Sequence, residues 1–169
     1  RGDYMASGSW EFGTTNSTIK GRIRWFSTSN GTSANSSKVT VYLDYKKTTA
    51  ATSPTYGTLK GTLCGSAYSK GITLYCNNSY VNVASKSWTQ GHNSDGSKTI
   101  TITASGGISG TTFSSSSTSR NVTLDKIPRY TSIKTWSVAE VGKTYIKLNW
   151  ATADTVDWVR VYLNDSSQW

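Results

Sequence analysis

Alternating apolar and polar side chains run through most of this chain. Between Trp88 and Ala104, for example, Ile100, Ile102 and Ala104 alternate with threonines, the period-2 pattern of a strand with one buried face. No window with a period of 3.6 residues is long enough to predict a helix, so we predict an all-β chain. The strands predicted ahead of residue 126 are 7–12, 19–26, 38–46, 58–64, 72–77, 80–88, 99–104 and 121–124.

Short strands joined by polar turns are typical of a sandwich of two antiparallel sheets. We therefore predict an immunoglobulin-like or fibronectin type III-like sandwich over residues 5–126. Trp10 and Trp25 are expected in its core. The strands at 58–64 and 72–77 are predicted to form a hairpin around residues 65–71, and residues 106–119 are predicted to form a loop.

A second unit is predicted after Pro128, which lies in a linker at 127–130 because proline disfavours regular structure in the residue before it. Residues 131–169 are predicted to form a truncated fibronectin type III-like module with strands at 133–137, 145–150 and 158–163, in which Ile146, Leu148 and Trp150 point inward. Three strands bury little apolar surface. We expect the module to lean on the first domain or to form a homo-oligomer through its open edge.

The chain start carries no secretory pattern. Residues 1–4 precede Met5 and are expected to be a cloning remnant rather than natural sequence. No apolar run of about 18 residues is present, so we expect no membrane partner and synthesis in a cytoplasm.

The formal net charge of +9 suggests an anionic partner, but the charge is dispersed and no nucleic-acid-binding pattern accompanies it. The clearest cationic feature is an outward row on one predicted strand, formed by Lys20, Arg22 and Arg24. This row is a candidate ligand-binding surface for an anionic wall polymer. The alternative is that it only keeps the surface soluble.

Residues that could support catalysis or metal binding are sparse. Cys64 and Cys76 are predicted to be free thiols, because strand alternation places them on opposite faces. His92 is the single histidine, so no metal site and no cofactor are expected. We predict that His92 packs beside the Asp95-Gly96 turn and donates a hydrogen bond, and that the chain is not an enzyme.

Aromatic residues provide the main alternative interpretation. The chain has seven tryptophans and ten tyrosines, and sugar rings stack on such side chains. Trp136 is the candidate ligand residue among them. The chain could therefore be a carbohydrate-binding module of a secreted or cell-surface glycan-active protein.

Four segments carry a family resemblance: ASGSWEF at 6–12, IKGRIRWF at 19–26, WTQGHNSDGSKTITITAS at 88–105 and NVTLDKIPR at 121–129. In these segments the chain resembles minor structural tail proteins of siphophages that infect streptococci and related Gram-positive bacteria. The resemblance covers residues 5–129 and, more weakly, the trailing module. It implies a virion protein of the tail tip or a fibre, with other phage tail proteins as partners. Attachment to host cell-wall polysaccharide or teichoic acid is a further expectation.

Overall fold

The computed structural model describes residues 5–129 and 133–152. All the regular secondary structure within these ranges is β-strand, so the predicted all-β class is confirmed. None of the described residues forms a helix long and apolar enough to cross a membrane. The strands are β1 (Ser7–Gly13), β2 (Ile19–Ser29), β3 (Ser36–Lys47), β4 (Thr55–Leu63), β5 (Ser66–Leu74), β6 (Val81–Gly91), β7 (Thr99–Gly107), β8 (Ser117–Thr123), β9 (Ile133–Val141) and β10 (Ile146–Thr152).

Strands β1 to β8 form two antiparallel sheets. The order of the first four-stranded sheet is β1-β2-β3-β6, and the order of the second is β5-β4-β7-β8. One hydrophobic cluster contains buried side chains from both sheets. The two sheets therefore pack face to face, as the predicted sandwich requires.

Alternation places the core of the first unit where the sequence predicts it. In β2, β3 and β7 every second side chain turns inward because successive side chains of a strand point to opposite faces. Each fully buried aliphatic side chain of this kind contributes about 1.5–3 kcal/mol. The predicted inward residues found buried are Ile19, Ile23, Trp25, Val39, Val41, Leu43, Tyr45, Leu59, Leu63, Ile72, Leu74, Val83, Ile100, Ile102, Ala104, Val122 and Leu124.

Tyr45 is the largest fully buried side chain of this core. Its ring centroid lies 5.1 Å from that of Phe113, a residue of the predicted 106–119 loop that is itself fully buried. The Tyr45 hydroxyl donates to the Ser116 hydroxyl at 2.7 Å, and Ser116 donates onward to the Gly106 carbonyl at 2.8 Å. Burial raises the pKa of Tyr45, so the phenol stays a neutral donor.

The first and last strands of this unit meet along one side of the sandwich. Trp10 donates from Nε1 to Thr118 Oγ1 at 3.0 Å, a contact between β1 and β8 that spans 108 positions of sequence. The Thr15 amide donates to the Ser115 carbonyl at 3.0 Å just beyond the end of β1. Trp10 is half-buried against the core and closes this side.

The hairpin between β4 and β5 differs from the prediction. A tight turn replaces the predicted loop at 65–71, because Leu63 pairs with Ser66 and only Cys64 and Gly65 lie between them. Both turn residues have positive φ, 47° and 80°, as in the type I′ turns that suit the twist of a hairpin. The strand predicted at 72–77 therefore begins at Ser66 and ends at Leu74, and the strand predicted at 121–124 begins earlier, at Ser117.

Both cysteines are free, as predicted. Cys64 lies in the β4–β5 turn, where burial raises the pKa of its thiol. Cys76 was predicted to lie in a strand at 72–77, but β5 has already ended at Leu74, and the Cys76 Sγ donates to the Ser53 carbonyl at 3.0 Å.

The β4–β7 pairing requires a glycine at position 61. A Cβ atom on Gly61 would overlap the carbonyl oxygen of Ser105 on β7. Because that oxygen belongs to a paired backbone, it cannot move aside without shifting the strand.

The chain divides into two compact units, Arg1–Pro128 and Arg129–Trp169. Ile127, at the start of the predicted linker, is fully buried, and its amide donates to the Gly96 carbonyl at 3.0 Å. It therefore belongs to the first unit. The predicted remnant at residues 1–4 lies outside the described residues.

Strands β9 and β10 of the second unit form an antiparallel pair in which Trp136 lies opposite Trp150. Trp150 and Ile146 were predicted to point inward, but they are 45% and 65% exposed. These two predicted inward positions are therefore wrong for the described β9–β10 pair, which buries neither side chain. The predicted strand at 158–163 lies outside the described residues.

Candidate binding surface on the first sheet

The predicted cationic row lies on the outer face of β2. Ile19, Ile23 and Trp25 face the core, so the intervening Lys20, Arg22 and Arg24 face away from it. In the register of the first sheet, Arg22 lies opposite Asp44 of β3 and Glu11 of β1. The sheet therefore brings two carboxylates, from two different strands, against the row.

Asp44 lies between the two arginines. Its Oδ2 accepts from Arg22 Nη2 at 2.8 Å and from Arg24 Nε at 2.7 Å, and its Oδ1 accepts from Arg24 Nη2 at 3.1 Å. Asn82 Nδ2 donates to the same Oδ1 at 3.0 Å. The Asp44 side chain is only 1% exposed, although it is on the outer face of the sheet. The arginine side chains thus cover the carboxylate that neutralises part of their charge.

Burial and hydrogen bonding act in opposite directions on Asp44. Desolvation, the largest single influence, raises the pKa of this carboxyl, while the hydrogen bonds from Arg24, Asn82 and Arg22 lower it. The net result is a pKa below the ordinary aspartate value, so Asp44 is ionised at neutral pH. The hydrogen bond to Asp44 also raises the pKa of Arg24.

Aromatic rings pack against the same cations. The Arg22 guanidinium lies 3.6 Å from the centroid of the Tyr80 ring, and the Arg24 guanidinium lies 4.9 Å from that of Tyr42. The Tyr42 ring also stacks on Phe26 at 6.3 Å. The two arginine–tyrosine contacts hold a cation over the electron-rich face of a ring. Each cation–π contact of this kind contributes about 0.5–1 kcal/mol at exposed positions.

A second ion pair borders these residues. Lys46 Nζ lies 2.8 Å from Glu11 Oε1 and 4.7 Å from the Tyr80 ring centroid. Tyr80 donates its hydroxyl to Glu11 as well. The hydrogen bonds from Lys46 and then Tyr80 lower the pKa of Glu11. We name the whole set the Asp44 cluster: Glu11, Arg22, Arg24, Tyr42, Asp44, Lys46, Tyr80 and Asn82.

The Asp44 cluster changes what the cationic row can do. Arg22 and Arg24 are already paired, whereas Lys20 has no ion pair among the described residues. The Asp44 cluster and Lys20 together carry four cationic and two anionic side chains, so a positive excess remains on this face. The sequence predicted Lys20, Arg22 and Arg24 as site residues but missed Lys46, Asp44, Glu11 and Tyr80. Outward alternation along β3 was the one available signal, and it did put Asp44 on this face.

Trp136, the remaining candidate, belongs to the second unit and is 69% exposed. Its neighbour across the strand pair, Trp150, is 45% exposed. The two indoles lie on one face of the β9–β10 pair, together with Val138, which is 51% exposed. This face is apolar and aromatic, whereas the Asp44 cluster is charged.

His92 has the structural role that the sequence predicts. Its Nδ1 donates to the Gly96 carbonyl at 2.7 Å, and its Nε2 lies 2.9 Å from Ser37 Oγ. A hydroxyl and an orienting carbonyl, which the sequence did not locate, are therefore both present. Ser37 is only 3% exposed, so a substrate carbonyl has no access to this hydroxyl. Within the described ranges, no group of three or more histidine, cysteine or acidic side chains could hold a metal ion.

The chain matches a known protein family over most of its length. Residues 18–168 match the model of a family described as siphovirus protein of unknown function (DUF859). The searches of curated proteins and of solved structures found no match.

Proposed function

Since the chain belongs to this siphovirus family, we propose that it is a non-enzymatic structural protein of the phage tail, at the tail tip or in a fibre. Family membership is the observation that carries the proposal. A rigid sandwich whose polar groups are largely paired with each other suits a module that holds or contacts other proteins. Other phage tail proteins are the partners that this role implies.

The strand order supports an immunoglobulin-like module. Without the additional edge strand β1, the sheets contain β2-β3-β6 and β5-β4-β7-β8. These orders correspond to A-B-E and C′-C-F-G of the immunoglobulin and fibronectin type III sandwiches when β2 is taken as strand A. Modules of this kind are commonly used as spacers and adhesive units, which agrees with a tail component. The partial module that follows is proposed to pair through its open edge with another copy.

The arrangement of ionisable groups supports a non-enzymatic role. Asp44 is buried under two arginines, Glu11 is bound by Lys46 and Tyr80, and both ring nitrogens of His92 have partners. A general acid or base must reach a substrate proton. These three groups are instead committed to contacts within the sandwich.

Location in the virion can be tested directly. Antibodies raised against this chain should label the tail tip or fibres of purified virions in immunogold electron microscopy. Labelling confined to the capsid, or found only in lysates of infected cells, would contradict the proposal. Labelling along a fibre but not at its tip would support the spacer role over attachment.

We further propose that the face carrying Lys20 contributes to host attachment through teichoic acid or another anionic wall polymer. Lys20 is the clean probe, because Arg22 and Arg24 also hold Asp44 in place. Lys20→Gln should weaken binding of the full chain to purified host cell walls about two- to threefold and reduce its salt dependence. Lys60→Gln, on the other sheet, is the matched control. Wall binding that is unchanged at high salt would reject this role.

A carbohydrate-binding module is the second candidate function, favoured by the exposed Trp136 and Trp150. Two exposed indoles opposite each other on a strand pair offer aromatic surface on which a sugar ring can stack. Binding of this kind depends little on salt. A glycan array with wild type and Trp136→Ala separates the two functions, because loss of a neutral glycan signal in the variant would favour the module.

A further inference from the structure

One end of β7 has a strand neighbour on only one side. Strand β4 pairs with β7 from Leu63 opposite Ala104 to Lys60 opposite Gly107, and the Cys64 amide adds one bond to the Thr103 carbonyl at 2.8 Å. There the chain turns back into β5. Strand β8, in contrast, follows β7 from Thr99 onward. Beside residues 99–101 the second sheet is therefore missing a strand, as far as the described residues extend.

The backbone groups beside this gap point into it. Lys98 presents its carbonyl to Leu124 at the β8 side, while Thr103 presents its carbonyl to Cys64 at the β4 side. Successive residues of a strand direct their N–H and C=O groups to alternate sides. Thr99 and Thr101 therefore share the orientation of Thr103, and their N–H and C=O groups face the gap.

A cleft of about 560 Å³ occupies this gap. One wall is formed by Lys98 and by the start of β7, including Ile100 and Thr101. The opposite wall comes from β6, the edge strand of the first sheet, which contributes Trp88 and Lys86. The cleft is shallow and open to solvent, and its lining combines one indole with polar groups.

The charge of the cleft is positive. Lys86 and Lys98 line it, and none of the described aspartates or glutamates does. Lys86 Nζ donates to the Cys64 carbonyl at 2.6 Å, which leaves two of its three N–H donors for another acceptor. The cleft therefore favours an occupant that brings a carboxylate.

We propose that this cleft binds an extended acidic segment of a partner protein, which adds antiparallel to β7 beside Thr99 and Thr101. Its backbone forms hydrogen bonds with the N–H and C=O groups of Thr99 and Thr101, which β4 does not reach. This mode of binding is β-strand addition. The residue opposite Ile100 points inward, toward Lys86, Lys98 and Trp88, and is a glutamate or aspartate. Its two neighbours point outward beside threonines, where β-branched side chains fit best.

The proposal depends on the proposed tail role in one respect, which is that the acidic segment belongs to a neighbouring virion protein. The tests below use the isolated full chain and no virion, so the cleft can fail while the tail role stands, and the reverse. The competing explanation is that the two lysines only guard an exposed strand edge against aggregation. It predicts that no segment binds.

The first test needs no ligand. In the free protein, NMR hydrogen exchange should be fast at the Thr99 and Thr101 amides and slow at Ile100 and Ile102, whose amides face β8. Slow exchange at the two threonine amides would overturn the proposal, because the edge would already be occupied.

The second test titrates the peptide acetyl-Thr-Val-Glu-Val-Thr-amide into the labelled chain. We expect saturable shifts and slowed exchange at Thr99 and Thr101. Replacing the peptide glutamate by glutamine should weaken binding about tenfold, as should Lys98→Glu in the protein. Lys60→Glu, outside the cleft, should leave the affinity unchanged. If Lys98→Glu does not fold, the glutamine peptide makes the same comparison on the wild-type chain.

Three outcomes of ligand titrations would also overturn the proposal. The first is an absence of shifts at millimolar peptide, which would leave edge protection as the role of the lysines. The second is equal binding of the glutamate and glutamine peptides. The third uses a tetrasaccharide of alternating glucuronic acid and N-acetylglucosamine: it shifts the NMR signal of the Trp88 indole but does not slow hydrogen exchange at the Thr99 and Thr101 amides. That result would make the cleft a saccharide site.

Discussion

Asp44→Asn is the sharpest test of the Asp44 cluster, because asparagine has the same shape and lacks the charge. The variant leaves Arg22 and Arg24 next to each other without the carboxylate they share and replaces an acceptor oxygen by an N–H₂ donor. Removing one partner of a buried ion pair costs about 3–5 kcal/mol. Arg24 is 44% exposed, so water screens part of the loss, and we expect about 2–3 kcal/mol.

The assay is urea unfolding of the full chain at neutral pH, followed through NMR signals of β2 and β3 so that only the first unit is reported. Asp125→Asn is the control, since Asp125 is exposed and has no ion pair among the described residues. It should change the free energy of unfolding by less than about 0.5 kcal/mol. Equal midpoints for the two variants would refute the reasoning.

The pH dependence gives the same test a second readout. The pKa of Asp44 is lowered in the folded state, so the unfolded chain binds its proton more tightly. The stabilisation is therefore complete above the unfolded aspartate pKa of about 3.9 and is lost as pH falls through the lower folded pKa. Asp44→Asn should lose stability less steeply than wild type across this acid range. Parallel acid profiles would contradict the assigned role.

Two further variants test the packing of the first unit. Gly61→Ala should lower the free energy of unfolding by about 2–3 kcal/mol, because the added Cβ would overlap the Ser105 carbonyl. The control Gly71→Ala, at a position with open space around it, should change the free energy of unfolding by less than about 1 kcal/mol. Comparable urea midpoints for the two variants would contradict this prediction. Phe113→Ala should cost about 3–5 kcal/mol by leaving a cavity beside Tyr45, and a loss below 1 kcal/mol would mean that the loop does not contribute to the core.

Strands with a clear inner and outer face could be predicted from the sequence, because burial of one face leaves a local pattern. Ile100, Ile102 and Ala104 all lie where alternation puts them. The first half of β5 could not be predicted in this way. It is an edge strand whose residues 66–70 are largely exposed, so no alternation marks it. The turn before it is Cys64-Gly65, which lacks the asparagine or aspartate that usually signals such a hairpin.

The candidate site could be predicted only in part, because local alternation does not show which strands lie side by side. Alternation is a property of one strand, and it correctly placed Lys20, Arg22 and Arg24 on an outer face. Which residues of other strands face them depends on register, which joins positions far apart in sequence. The pairing of Arg24 with Asp44 across 20 positions, and the packing of Tyr80 on Arg22, left no local trace.

The contact between Trp10 and Thr118 has a consequence for how the chain folds. Its two residues are 108 positions apart, so closing it requires almost the whole first unit to be in place. High contact order of this kind slows folding, since the entropy of loop closure is lost before the contact can stabilise anything. During synthesis β1 can pair with β2 early, but the Trp10 indole cannot reach Thr118 until β8 has emerged from the ribosome. Until then this side of the sandwich is not closed, and apolar surface left exposed on a partly folded chain promotes aggregation.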